Sequence, residues 1–307
     1  MTTTGGTAEP LRVGFIGTGI IGTPMAARLL SAGLLARVWN RTLERTQPLQ
    51  RRGAQVADSP AEVASASDIV CLCLTDAAAT EGVLRGPNGL LRGHSPVRPM
   101  IIDLSTSSPS ETRRLAQIYR EATGGCWLDA PVSGGSARAE SGELMIYCGG
   151  EQADFEMAQP VFTALAQRAT LVGPLGSGQT LKLCSQLIAA PTIIAIAEAL
   201  AVAEANGLAP AAIPELLRGG LADSPLLQLF GSRMATPSAE RLGAIYTMLR
   251  AIDTGLELAR ATGLAVPVAA AAAEVYRAAA RFDRERDMTE LLEVYRGGDG
   301  VASHRPQ

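Results

Sequence analysis

Residues 11–40 read LRVGFIGTGIIGTPMAARLLSAGLLARVWN, and they decide the fold of the first half of the chain. A short apolar run leads into Gly17, Gly19 and Gly22 in GxGxxG spacing, a helical pattern follows, and a second apolar run ends at Trp39. Each glycine has a distinct use: one for a tight turn, one for close approach of a pyrophosphate, one for packing helix against sheet. The helix then presents free N–H groups and its positive end to the phosphates. A glycine triplet alone is weak, but set between a strand and a helix in a unit of about 30 residues it predicts a dinucleotide site. Its expected members are Gly17, Thr18, Gly19, Ile20, Ile21 and Gly22.

The strand after that helix runs into Asn40, Arg41 and Thr42, where an NAD site would usually carry an acid for the ribose 2′-hydroxyl. Hydrogen-bond donors and a positive charge suit a 2′-phosphate, so NADPH is the expected cofactor. Glu44 nearby keeps NAD(H) open. Further along, DIVCLCLTD, PMIIDLSTSSP and CWLDAPVSGG each read as a strand entering a polar or glycine-rich loop. In an open parallel sheet such loops gather at the carboxyl ends of the strands, which brings Leu74, Thr75, Thr106 and Ser133 around one crevice. Taken singly, any of these could instead be a cap or a turn residue.

After Pro174 the pattern changes. From Gln179 to about Asn206 the chain is rich in Ala, Leu and Ile, with a helix stop at its end. A helix of that length spans on the order of 40 Å, long enough to run from one domain into the next. Pro191 is expected to kink it. Its apolar core, LIAAPTIIAIAEALAVA, has 17 residues and includes Pro191 and Glu198, which favours a buried helix over a membrane span. More helical stretches follow. The expected architecture is α/β: an N-terminal doubly wound Rossmann sheet, a long interdomain helix and an all-α C-terminal domain.

Composition agrees with this layout. A chain of 307 residues suggests two domains, set here as a dinucleotide-binding domain at 11–174 and an all-α substrate and dimerisation domain at 175–296. Residues 1–10 read as a flexible leader and 297–307 as a flexible tail. The leader lacks the pattern of a signal peptide, so a cytoplasmic location is expected. A net charge of −3 offers no broad positive surface for nucleic acid or an anionic membrane. Five cysteines in no metal-binding spacing read as small buried hydrophobes, and two histidines, His94 and His304, leave no material for a metal site. The alanine-rich helices carry more apolar surface than one small domain readily buries, which predicts a homodimer or a larger homo-oligomer.

Lys182 is the only lysine; every other position among the 27 Lys+Arg is arginine. A guanidinium stays protonated, whereas an amine in a dry or cationic pocket can release a proton and take it back. Codon bias is the bland alternative. Proton transfer is the chemical one.

Five ordered stretches, GFIGTGIIGTPMAARL, DLSTSSP, DAPVSGG, SGELMIYCGG and GPLGSGQTLKL, resemble the β-hydroxyacid dehydrogenase family over nearly the whole chain. The resemblance implies a reversible reduction of a small aldehyde or keto acid, a small-molecule substrate, and Lys182 as catalytic acid/base. It further implies that Ser133, Gly134 and Gly135 hold the substrate carboxylate and that Thr106 lies near the nicotinamide. The VWNRT segment resembles the NADPH-using glyoxylate-reductase branch and also imine reductases. Three departures from the family stand out. Two usual asparagines are Ser185 and Gln186, of which Gln186 can still donate to a substrate hydroxyl. A usual Lys-Asp pair is Arg250 and Ala251, where Arg250 keeps the charge toward substrate. A usual aromatic is Gly243. Imine reduction and a non-catalytic nucleotide reader are the competing functions, and retention of Lys182 disfavours both.

Overall fold

The computed structural model describes residues 11–93, 98–237, 241–281 and 283–297. The expected leader at 1–10, His94, His304 and the tail beyond 297 lie outside them. The chain divides into two compact units, with the division between Lys182 and Leu183.

The first unit opens with β1 (Val13–Ile16), α1 (Gly22–Ser31), β2 (Leu35–Trp39), a short α2 (Gln47–Gln50), α3 (Pro60–Ser65), β3 (Ile69–Leu72) and α4 (Ala77–Arg85). It continues with β4 (Met100–Asp103), α5 (Pro109–Thr123), β5 (Trp127–Asp129), β6 (Val132–Ser133) and α6 (Gly135–Ser141). Then come β7 (Leu144–Gly149), α7 (Gln152–Met157), α8 (Gln159–Leu165) and β8 (Ala166–Gly173). The sheet runs β2-β1-β3-β4-β5-β7-β6, with β8 on β7. Strands β1 to β5 are parallel, β7 lies antiparallel to β5 and β6, and β8 returns parallel to β7. The order 2-1-3-4-5 puts a topological switch point between β1 and β3, the place where open α/β sheets bind ligands.

Local sequence explains the elements. Strands β1, β3 and β4 are buried at every position, as strands covered on both faces must be. Asp76 caps α4 by accepting from Ala79 N–H at 2.7 Å. Ser108 caps α5 in the same way through Glu111 N–H, Pro109 takes the first turn, and Gly124 ends the helix. One apolar layer packs Phe15, Met25, Leu29 and Phe162 on one side of the sheet. A second packs Ile16, Leu72, Tyr119 and Trp127 on the other.

Helix α9 (Ser177–Ala205) begins in the first unit and continues into the second without interruption at Pro191. The second unit adds α10 (Ile213–Leu216), a π-turn at Leu227–Gly231, α11 (Ser232–Ala235), α12 (Ile245–Ala261), α13 (Pro267–Ala280) and α14 (Leu291–Arg296). Its core joins Ile193, Leu200, Phe230, Ile252 and Tyr276. Gly255 lets α12 approach α9, since a Cβ there would sit 2.9 Å from the Leu187 side chain.

Helix α9 is long and apolar enough to cross a membrane, yet only 33% of its most apolar window is buried. The expectation of a buried helix therefore holds only in part. Ile188 and Val202 are well exposed because the apolar residues run all round the helix while its neighbours cover one side. Among the cysteines, Cys71 and Cys148 are buried as expected, whereas Cys184 is exposed.

Candidate active site

The glycine loop joins β1 to α1 and is held from both neighbours. Gly17 N–H donates to Trp39 O, and Ile16 O accepts from Cys73 N–H. Gly17 has φ +103°, which a side chain rarely adopts, and a Cβ there would come within 2.1 Å of Cys73 O. At Gly22 a Cβ would lie 1.9 Å from Gly17 O, so the helix can start this close to the strand only with glycine. Above Gly19 there is nothing within 4 Å. Two glycines therefore serve the fold, and the third leaves room for a ligand.

Helix α1 starts without a side-chain cap and without an acid in its first turn, so its positive end is left for an anion. The Thr18 hydroxyl beside it is buried and makes no hydrogen bond within the protein. An orphaned donor, an open glycine and an uncapped helix at a switch point fit a dinucleotide pyrophosphate.

Asn40 has a role that sequence reading missed. Its Oδ1 accepts from Thr18 N–H at 3.0 Å and its Nδ2 donates to Thr42 O at 2.9 Å, so the side chain ties the glycine loop to the loop after β2. Arg41 and Thr42 are exposed on that second loop. Leu74 N–H donates to Ser105 Oγ at 2.9 Å, which links the loops after β3 and β4. Thr75 is exposed and its hydroxyl donates to Asp76. Thr106 follows Ser105 on the β4 loop and is partly buried.

Ser133 ends the short strand β6, paired with Met145 of β7. Gly134 (φ +137°) and Gly135 (φ +71°) then turn the chain into α6 through conformations that favour glycine. Lys182 lies near the start of α9, still in the first unit, and is 7% exposed. Burial pulls its amine down to about 8. An ammonium of that strength exchanges protons near neutrality.

Gln186 and Arg250 belong to the second unit. Gln186 is partly buried on α9. Arg250 on α12 lies 6.0 Å from the Tyr246 ring, and Arg284 stacks on the same ring at 3.9 Å. Tyr246 lies one turn before Arg250 on the same helix, and Gly243 precedes the helix. Among the described residues no group of His, Cys, Asp or Glu could hold a metal.

Sequence reading also passed over Asp103, Ser105, Asp129 and Gln179, all buried at the carboxyl ends of β4 and β5 or in the first turn of α9. Their available signal was polar residues inside the motifs DLSTSSP, DAPVSGG and GSGQTLKL.

Comparison with known proteins gives the family and agrees with the fold. A family model described as the NAD binding domain of 6-phosphogluconate dehydrogenase matches residues 12–173. One described as NAD-binding of NADP-dependent 3-hydroxyisobutyrate dehydrogenase matches residues 176–295. The chain is 37% identical over 270 residues to 2-hydroxy-3-oxopropionate reductase of Escherichia coli (strain K12), covering 88% of this chain and 91% of that one. In fold it is similar to 3-hydroxyisobutyrate dehydrogenase of Mycobacterium tuberculosis, solved with L-serine. That similarity has a TM-score of 0.82 at 24% identity, over 94% of this chain and 99% of the other. An imine reductase from Myxococcus stipitatus in complex with NADP+ is more distant, with a TM-score of 0.63 at 22% identity, over 92% and 99% of the two chains. The chain is an NAD(P)-dependent oxidoreductase with a small-molecule substrate, and it belongs to the β-hydroxyacid dehydrogenase family.

Proposed function

We propose that the protein is an NADPH-dependent reductase of a small aldehyde or keto acid, running reversibly to the hydroxy acid, with Lys182 as its acid/base. The observation that carries the reading is the state of Lys182, 7% exposed with an amine drawn down to about 8. The nicotinamide supplies hydride to a carbonyl carbon. What the chain must add is a proton for the carbonyl oxygen in reduction, and a neutral amine to take it back in oxidation. An amine near 8 is populated in both forms at neutral pH; a guanidinium is not.

The remaining roles follow from chemistry and from the family resemblance. Gly17 to Gly22 hold the pyrophosphate, with Leu74, Thr75 and Thr106 along the rest of the cofactor. Arg41, with Thr42, meets the ribose 2′-phosphate through a charge-assisted hydrogen bond. Asn40 contributes by holding that loop against Thr18. The backbone and hydroxyl of Ser133, Gly134 and Gly135 receive the substrate carboxylate, and the family resemblance gives Gln186 the role of a donor and Arg250 that of a charge toward substrate.

The test is an NADPH-consumption screen over aldehydes, keto acids and cyclic imines. The name of the Escherichia coli relative puts 2-hydroxy-3-oxopropionate first among them. Turnover fastest on a small carbonyl acid, and faster with NADPH than with NADH, is the expected result. Turnover on cyclic imines alone, or none on any compound, would overturn the reading.

A further inference from the structure

Gln179 is fully buried and both ends of its carboxamide are used. Nε2 donates to the carbonyl of Ser105 at 2.8 Å, and Oε1 accepts from the N–H of Ser107 at 3.0 Å. The two peptide groups it grips are those flanking Thr106. The side chain thus pairs with the β4 loop as a neighbouring strand would, and at one residue only.

The other end of Gln179 is equally fixed. Its backbone N–H donates to Asp129 Oδ2 at 2.8 Å, while Gly176 N–H donates to Asp129 Oδ1 at 2.6 Å, so one carboxylate caps the start of α9. Gly178 allows the seating: a Cβ there would be 2.2 Å from Tyr147 O. Ser105 in turn donates its N–H to Asp103 Oδ1 and accepts from Leu74 N–H. The loops after β3 and β4 and the end of β5 are therefore joined to the first turn of α9. Lys182 follows Gln179 by three residues on that helix, on the same face.

We infer that Gln179 is a positioning residue: by clamping the peptide groups on both sides of Thr106 it fixes the β4 loop relative to Lys182, and so keeps the two halves of the site in register. The inference rests on the acid/base role given to Lys182 above. A reaction that moves a hydride and a proton at one carbonyl needs both donors placed to within a fraction of an ångström, and a displacement of about 1 Å costs on the order of 100-fold in rate. A glutamine is suited to the task because it offers one donor and one acceptor to a backbone that presents one of each.

The test uses the full chain with Gln179→Met, Gln179→Glu and, for reference, Lys182→Ala. Three quantities are read: amide hydrogen exchange of segment 104–108 in the free protein, the NADPH dissociation constant by nucleotide fluorescence, and the single-turnover rate of NADPH oxidation with the fastest carbonyl of the panel. For Gln179→Met the expectation is faster exchange confined to 104–108, NADPH affinity within about threefold of wild type, and a rate lower by roughly 10- to 100-fold.

Gln179→Glu supplies a rescue within one folded protein. Its protonated acid can donate to Ser105 O and accept from Ser107 N–H, and its carboxylate cannot donate. The rate should match wild type within about threefold at low pH and fall to the Gln179→Met level as the acid ionises, a step the wild type lacks. The charged groups of the same network are Asp129 on β5, which binds the Gln179 N–H, Asp103 on β4, which binds the Ser105 N–H, Arg113 on α5, which acts on Asp129, and Lys182 on the same helix. If Gln179→Met does not fold, this step alone decides.

Unchanged exchange at 104–108 in Gln179→Met, or turnover within twofold of wild type, would overturn the clamp, as would a Gln179→Glu profile that shows the wild-type ionisation and no further step. With Lys182→Ala inactive and Gln179→Met active, the clamp alone falls. Should Lys182→Ala keep turnover, the assignment of the proton fails, and the purpose of the clamp fails with it.

Discussion

Asp103 and Asp129 are direct partners across the parallel strands β4 and β5, and both are buried, at 1% and 0% exposure. Burial pushes Asp103 up to about 6 even though its Oδ1 accepts from Ser105 N–H, and the nearby Asp129 carboxylate adds to the effect. Burial also raises Asp129 against the two N–H groups that it accepts. A carboxyl raised in the folded state above its unfolded value of about 3.9 holds an extra proton between those two pH values. Stability therefore falls as pH climbs from about 4 to about 6, and the full cost, on the order of 3 kcal/mol, is present above that window.

Asp103→Asn removes that charge and keeps an oxygen for Ser105 N–H. It should raise the unfolding temperature at pH 7.5 by roughly 5 °C and give no gain at pH 4. Thermal unfolding at both pH values, with and without the substitution, is the measurement. An equal shift at both would mean that packing, not ionisation, is responsible.

Lys182 follows the opposite sign. Its folded value of about 8 lies below the unfolded value of about 10.4, so below pH 8 both states hold the proton and the burial cost is complete. Between the two values the unfolded chain binds more protons, and stability rises with pH. Lys182→Met should therefore be more stable than wild type at pH 7 by roughly 3 kcal/mol, with the difference closing as pH rises beyond about 10. Urea unfolding across that range checks it; a wild type more stable than the variant at pH 7 would show that the amine is compensated by its surroundings.

The glycine loop separates fold from ligand. Gly22→Ala forces a Cβ onto Gly17 O and should destabilise the protein, whereas Gly19→Ala points into open space and should fold as wild type. The second variant should nonetheless weaken NADPH binding by tenfold or more, because we propose that space for the approach of the pyrophosphate. Melting curves paired with NADPH titrations distinguish the two.

Arg41→Ala should raise the NADPH Michaelis constant by roughly 10- to 100-fold and leave that for NADH nearly unchanged, the scale of one hydrogen bond to a charged group. Steady-state kinetics with both cofactors decides. A wild type that prefers NADH would end the 2′-phosphate reading.

Ile188 and Val202 on α9, with Leu216 and Leu221 beyond it, are large apolar side chains left exposed on the single chain. We expect a homodimer or a larger assembly in solution. Light scattering should return at least twice 31.9 kDa, and Val202→Asp should shift the mass toward the single chain. A wild type that remains a single chain at micromolar concentration contradicts this.

What could be read from the sequence was local. The spacing of Gly17, Gly19 and Gly22 is legible because a steric demand falls on three nearby positions, and Lys182 is legible because it stands alone in composition. The clamp was not, since Gln179 meets Ser105 across 74 residues and Asp129 across 50, and no periodicity encodes such pairs. Asn40 was read as a donor for a ligand; in the fold its amide lies between two backbone groups. Likewise the antiparallel entry of β7 depends on how the chain turns through Ser133 and α6, which an apolar run alone does not reveal.

The central claim is that Lys182 delivers the proton. Its most direct measurement is the pH dependence of single-turnover NADPH oxidation in wild type, Lys182→Ala and Lys182→Arg, on the fastest carbonyl substrate. The account predicts one wild-type ionisation near 8, absent from both variants, NADPH affinity retained in both, and turnover lower by about two to four orders of magnitude, with arginine no better than alanine. Near-normal turnover in Lys182→Arg would contradict it, and would assign the proton to water or to another side chain.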